Sequence, residues 1–392
     1  MNILLLAYSF PPAVGGAEKL LGDLAEACDP EGLSVLAGSR NGHAEKDYDA
    51  RSKYPIARVR FEPPSFADRV LLKIGSLRNN PVQAFYHYCY CRSIAEARRL
   101  VGIFQPKIIV CGWSFLLETA IVLKSSDKKI VAIAYGRDVL EAEGNQYLCD
   151  LWKGADRVLA ISRFTSERLT GIGVDSQRIR LAFPGIDPAI STLPGKAPDL
   201  KTLKLDGKKI ILTICRLVPH KGTDTLIEAM PMIRRDVPNA ALVVVGDGPY
   251  RADLERKAVQ SGQSGNILFV GWVSEEEKFG WYSACDVFAM PSRWDRTSKG
   301  IEGYGYAFLE AGAFGKPVVG GNSGGIPDTV EDGVTGVLVD PNDAGAVAGA
   351  ITSLLKNPEK ARKMGEAGRK RVETERNANT RVKIMLDEIL SV

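Results

Sequence analysis

Residues 209–222 read KIILTICRLVPHKG. The first nine, Lys209 to Leu217, form an apolar run rich in isoleucine and leucine, without the strict alternation of a strand that has one wet face. Such a run fits a strand buried on both faces, which is the signature of a parallel sheet covered by helices. Pro219 then breaks the strand, and Gly222 opens a helical pattern that continues to about residue 235. Strand, tight turn and helix make one unit of a doubly wound α/β domain. The same rhythm continues downstream. ALVVVGDG (241–248), ILFVGWV (267–273), DVFAMPS (286–292), PVVGG (317–321) and GVLVD (336–340) read as strands. Helical patterns near 250–261, 275–283, 305–315, 326–331 and 343–356 separate them.

Upstream the pattern occurs once more. NILLLAY (2–8), LSVLAG (33–38), KIIVCGW (107–113), KIVAIAY (129–135) and RVLAIS (157–162) read as strands, with helical patterns at 17–27 and 93–101 among the intervals. The chain of 392 residues is long for one core. We expect two Rossmann-like α/β domains, an N-terminal one over 1–187 and a C-terminal one over 207–374. The segment PGIDPAISTLPGKAPDLKTLKLDG (184–207) is rich in Pro, Gly and Lys and has little periodicity, so the linker is placed at 188–206. Residues 375–392 end in an amphipathic helix, expected to cross back to the first domain.

Composition narrows the class. Hydrophobic residues make up 45% and charged residues 25%, an ordinary globular profile. A net charge of +4 gives no case for nucleic acid. Residues 51–100 nevertheless hold ten Arg/Lys against three acids. Within them RVLLKIGSLRNN (69–80) mixes cations with aliphatics, which suits either a plain surface helix or peripheral contact with an anionic membrane. The seven cysteines show no C-x-x-C spacing and read as small buried hydrophobes in a reducing compartment. The three histidines are not spaced with them as a zinc site requires. No apolar stretch reaches membrane-spanning length, and the N-terminus lacks a signal-peptide pattern, so a cytoplasmic location is expected.

Ligands of parallel α/β sheets bind at the carboxyl ends of strands. After the first strand, Gly15 and Gly16 precede a helix and could admit a phosphate to its amides, although a plain turn is the simpler reading. After KIILTICRL come Arg216 and Lys221, a fork and a point charge suited to a diphosphate, or else a solvated basic turn. Gly246 and the turn before Val273 can bring backbone against a base or sugar, or serve as tight connections. In IEGYGYAFLEAGAFGKPVVG (301–320), Glu302 and Glu310 bracket Gly303 and Gly305, where backbone amides can turn inward ahead of a helix. Two cations for phosphates and two acids for hydroxyls suit a nucleotide sugar.

These motifs, CRLVPHKG, VVGDGP, FVGWVSEEE, AMPSR and the Glu302–Glu310 pair, occur in the order seen in the retaining glycosyltransferases of family 4. SFPPAVGGAEKLLGDLA and AFPGID also resemble that family, and RWDRTSKGIEG resembles the branch with the phosphatidylinositol-mannoside mannosyltransferases. The resemblance implies the GT-B fold and a nucleotide-sugar donor, GDP-mannose or a UDP-sugar, with no metal and no other cofactor. Arg216 and Lys221 would bind the diphosphate and Glu310 the ribose. Glu302 would contact the sugar with backbone amides of Gly303, Tyr304, Gly305, Tyr306 and Ala307. Gly15 and Gly16 would lie against phosphate, and Gly246 and Val273 near the base. Tyr135 stands where many members carry histidine. Tyr135, Arg137 and Asp138 are candidates for sugar or acceptor contact. The one D-x-D, Asp47-Tyr48-Asp49, follows no apolar strand and is a poor metal motif. Transfer is expected to keep the anomeric configuration, to a hydroxyl of a glycan, lipid-linked or small-molecule acceptor. A sugar phosphorylase, a nucleotide-sugar epimerase and a catalytically silent nucleotide- or lipid-binding protein are the alternative readings.

Overall fold

A computed structural model describes residues 2–39, 42–61 and 81–392, so the basic stretch 69–80 lies outside the described residues. The chain divides into two compact units. Met1–Pro184 joins Asn379–Val392, and Gly185–Ala378 forms the other.

In the first unit the strands are β1 (Ile3–Ala7), β2 (Leu33–Gly38), β3 (Ile56–Val59), β4 (Ile108–Cys111), β5 (Lys129–Ala134), β6 (Arg157–Ala160) and β7 (Ile179–Leu181). They form a seven-stranded sheet in the order β3-β2-β1-β4-β5-β6-β7, parallel throughout. The second unit holds β8 (Lys209–Ile214), β9 (Ala240–Val245), β10 (Ile267–Gly271), β11 (Val287–Met290), β12 (Val318–Gly321) and β13 (Gly336–Val339). Their order is β10-β9-β8-β11-β12-β13, again parallel. Both sheets reverse strand order beside their first strand, at β1/β4 and at β8/β11. A doubly wound sheet opens a ligand crevice at such a point.

The apolar runs explain the centres of the sheets. β1 and β9 are buried at every position. In the second unit alternate residues of the strands feed two clusters, one around Ile211, Leu242 and Val244 and one around Leu212, Val243 and Phe288. β3 and β7 escaped the sequence reading because they are edge strands. Each is short, half-buried or partly exposed, and carries an arginine in mid-strand. The helix Pro358–Thr374 was missed for a related reason, since charge dominates it and its buried face includes Gly365 and Gly368. The last helix, Ala378–Leu390, packs on the first unit. There the Arg157 guanidinium donates to the Glu388 carbonyl and to Ser391 Oγ, and Arg381 Nε donates to the Phe183 carbonyl at 2.8 Å. In the D-x-D stretch, Asp49 is the ion-pair partner of Arg58 at 2.7 Å, and the same guanidinium reaches the carbonyls of Pro11 and Gly38.

Candidate active site

The loops that follow β8, β9 and β10 are joined by backbone hydrogen bonds. Cys215 N–H donates to the Val245 carbonyl at 3.1 Å, Leu217 N–H to Asp247 at 3.0 Å, Tyr250 N–H to Leu217 at 3.1 Å and Gly246 N–H to Gly271 at 2.8 Å. The predicted strand 209–217 therefore ends at Ile214, and its last residues join this lattice. Gly246 serves the lattice directly. Its φ is 120°, and a Cβ there would lie 2.0 Å from the Cys215 carbonyl oxygen. Lys221 and Gly222 end the turn, and the helix Thr223–Asp236 follows. Arg216, just after β8, is exposed and makes no side-chain ion pair or hydrogen bond among the described residues.

The structure brings Lys221 onto Glu302. The ammonium donates to Glu302 Oε2, and both side chains are mostly buried, 18% and 14% exposed. Burial alone would push the Lys221 ammonium down, but the Glu302 carboxylate outweighs it and holds the group above its ordinary value. Burial and the carboxylate thus act on Lys221 in opposite directions, and the charged form is the one favoured. Glu302 is fixed through its own backbone, since Gly325 N–H donates to its carbonyl at 2.9 Å. Gly305, with φ of 101°, turns the chain into the helix Tyr306–Ala313. The first amides of that helix have no carbonyl one turn back and form its positive end. Tyr304 is buried, and its carbonyl accepts from Thr329 Oγ1 at 3.2 Å.

Glu310, inside that helix, sits apart from Lys221 and has its own donors. Tyr282 Oη donates to Oε2 at 2.8 Å, and Lys278 Nζ donates to Oε1 at 2.9 Å. Val273 and Ala307 both pack against the same apolar cluster, so the Val273 side chain turns into the protein. Its neighbour Trp272 is 79% exposed. Sequence reasoning singled out neither Lys278 nor Tyr282, and it met Arg293 only as part of the AMPSR and RWDRTSKGIEG motifs, with no role of its own. Arg293 pairs with Asp224 at 2.6 Å and donates to Thr225 Oγ1, which ties the loop after β11 to the helix after β8. In the insert that follows, Asp295 accepts from Ser298 Oγ at 2.6 Å and bridges to Gly300, closing a small loop of its own.

The remaining candidates belong to the first unit. Gly15 is the cap of the helix Gly16–Ala27, and both glycines are exposed. Tyr135 follows β5 and donates its hydroxyl to the Gly112 carbonyl at 3.0 Å, with the Trp113 ring 5.8 Å away. Arg137 is exposed and pairs with Glu141 at 3.2 Å. Asp138 is buried, and its carboxylate accepts from the amides of Tyr135 and Val139 at 3.0–3.1 Å. Its oxygens are turned onto backbone, which makes Asp138 the residue that shapes the Tyr135 turn. Burial pushes its carboxyl up to about 7, against the pull of those amides. A carboxyl raised on folding contributes stability that is full below the unfolded value near 4 and is lost as pH rises through about 7. We therefore expect the melting temperature of the first unit to fall between about pH 4 and 7, and Asp138→Asn to flatten that dependence in calorimetric scans. Among the described residues, no group of three or more His, Cys, Asp or Glu side chains is arranged to hold a metal ion.

Comparison with known proteins agrees with this frame. The model for "Glycosyltransferase Family 4" matches residues 14–190, and that for "Glycosyl transferases group 1" matches residues 199–371. A Mycolicibacterium smegmatis relative, a GDP-mannose-dependent alpha-(1-6)-phosphatidylinositol monomannoside mannosyltransferase, is 32% identical over 380 residues, covering 94% of this chain and 92% of its own. A Mycobacterium tuberculosis relative of the same description is 35% identical over 378 residues, with the same coverage. Among solved structures, Anabaena HepE in complex with UDP superposes with a TM-score of 0.78 at 20% identity over the whole of both chains. Two parallel Rossmann-like sheets, the order of motifs along them and relatives matched end to end lead to one assignment: the chain belongs to glycosyltransferase family 4 and has the GT-B fold.

Proposed function

We propose that the protein transfers mannose from GDP-mannose to a hydroxyl of a glycolipid acceptor of the phosphoinositol-mannoside type, with retention at the anomeric carbon and without a metal ion. The observation that carries the reading is the mostly buried Lys221–Glu302 pair at the carboxyl end of β8, with exposed Arg216 beside it in the chain and the helix Tyr306–Ala313 opening after Gly305. The choice of donor and acceptor class follows relatives that match nearly the whole chain.

In this mechanism the bond between sugar and phosphate breaks through an oxocarbenium-like state while negative charge grows on the diphosphate. Arg216 and the Lys221 ammonium stabilise that charge, and the first amides of the helix add partial positive charge. Glu302 orients the sugar and holds the Lys221 ammonium in place. The departing phosphate oxygen takes the proton of the acceptor hydroxyl on the same face, so no carboxylate nucleophile is needed. Arg216 and Lys221 neutralise charge that a divalent cation would otherwise balance. Among the described residues no helix is long and apolar enough to cross a membrane, so access to a lipid acceptor is assigned to peripheral contact through the basic segment 69–80.

The test is a thermal-shift panel of GDP, UDP, ADP and their sugars, followed by NMR of the product. GDP-mannose at 100 times its dissociation constant should stabilise the protein by about 2.7 kcal/mol. The product should be the α-anomer, formed also in the presence of a chelator. A matching shift with UDP-sugars alone would overturn the donor, and an inverted product would overturn the mechanism.

A further inference from the structure

Glu310 carries an inference that rests on the donor reading above and goes beyond it. A carboxylate offers about four lone-pair sites, two on each oxygen. Among the described residues one site on each oxygen is taken. Tyr282 Oη donates to Oε2 at 2.8 Å and Lys278 Nζ to Oε1 at 2.9 Å. The Glu310 side chain is 22% exposed, and the outer lone pair of each oxygen has no donor among the described residues. Both donors come from one helix, Glu275–Ala284, at positions one turn apart.

Neither donor is loosely placed. Tyr282 is fully buried, and its ring stacks on Phe314 with centroids 5.5 Å apart. Lys278 is 17% exposed. Its ammonium also donates to Glu275 Oε1 at 2.9 Å and lies 5.4 Å from the centre of the Phe279 ring. A carboxylate held at one lone pair per oxygen has fixed position, plane and charge. What remains is a pair of acceptors in one plane, spaced for two neighbouring hydroxyls. A vicinal diol matches that pattern, and a single hydroxyl or a phosphate does not.

We propose that Lys278 and Tyr282 are positioning residues that set the nucleotide's ribose specificity, by presenting the two outer lone pairs of Glu310 to the 2′- and 3′-hydroxyls. Without Lys278, Glu310 can rotate and its charge is balanced by Tyr282 alone, beside the like charge of Glu275. Without the Tyr282 hydroxyl the inner oxygen is left underprovided in a buried site and turns back for another donor. In both cases the diol loses its paired acceptors while the diphosphate keeps Arg216 and Lys221.

The test compares dissociation constants of GDP, 2′-deoxy-GDP and 3′-deoxy-GDP by calorimetry for the full chain and for Lys278→Met, Lys278→Arg and Tyr282→Phe. The wild-type protein should prefer the ribonucleotide by about tenfold or more, as expected for loss of a hydrogen bond to a charged group. Lys278→Met and Tyr282→Phe should bring the ratio near one through weaker binding of GDP, with the deoxy forms little changed. Lys278→Arg should restore most of the preference. A role in folding alone would weaken all three nucleotides together and leave the ratio intact, and that result overturns the proposal. So does a wild-type protein that binds GDP without regard to the ribose hydroxyls. Failure of every nucleotide, GDP and UDP alike, to bind the wild-type protein would instead remove the donor reading itself.

Discussion

Lys221→Ala should lower the rate constant for sugar transfer by about 10²–10³-fold, the effect of removing one preorganised group that faces developing charge. The Lys221 ammonium is mostly buried and fixed by Glu302 before any donor arrives. No reorganisation is needed when the diphosphate becomes more negative, so the loss should fall on kcat more than on KM. Glu302→Gln should also be costly, because it removes the charge that holds Lys221 above its ordinary value. The double variant should be far less damaged than the two single losses multiplied, as expected for groups that act as one unit. Steady-state kinetics with varied donor concentration check both points. A Lys221→Ala enzyme with wild-type kcat would reduce the pair to a structural role.

Gly222→Ala should produce a large loss of stability, about 3 kcal/mol, combining left-handed strain with an overpacked contact. Gly222 has φ of 74°, and a Cβ there would lie 2.0 Å from the Pro291 carbonyl oxygen. That atom is backbone at the end of β11, so it cannot swing aside as a side chain would. Gly207 is a natural control, with φ of 69° and nothing within 4 Å of the added carbon. Gly207→Ala should cost only about 1 kcal/mol. For a unit of this size the difference corresponds to roughly 4–8 °C in the calorimetric midpoint. Equal midpoints for the two variants would show that the close approach to Pro291 is not what Gly222 provides.

Much of the architecture could be read from the sequence because buried parallel strands leave a strong mark. The runs ILLLA, KIILTI and AALVVV have no wet face, and each became a central strand. The edges were harder. IARV and IRL pair on one side only and keep an arginine in mid-strand, so their patterns look like loop. At the site, Lys221 and Glu302 stand out in the sequence as charges beside glycines at strand ends, and the structure brings these two side chains together. The support of Glu310 was not. Lys278 and Tyr282 lie 32 and 28 residues away, inside a helix whose first turn is a run of glutamates that reads as a capped surface element. Asp138 shows the opposite error. Its charge and its place after β5 suggest a ligand contact, but the side chain turns inward onto the amides of Tyr135 and Val139. Sequence gives the residue and its element; it does not give the direction in which a short side chain turns.

The backbone lattice that joins the loops after β8, β9 and β10 has a consequence for how this enzyme can diversify. Its bonds run between N–H and carbonyl groups of Cys215, Leu217, Gly246, Tyr250 and their partners, and they make no demand on side-chain identity except at glycine. Exposed positions on these loops that take no part in holding the diphosphate, Trp272 among them, can therefore be exchanged without moving the chain that carries them. A scaffold of this kind tolerates drift in what it recognises while keeping where it recognises it, which makes these loops the natural place to select for a new donor.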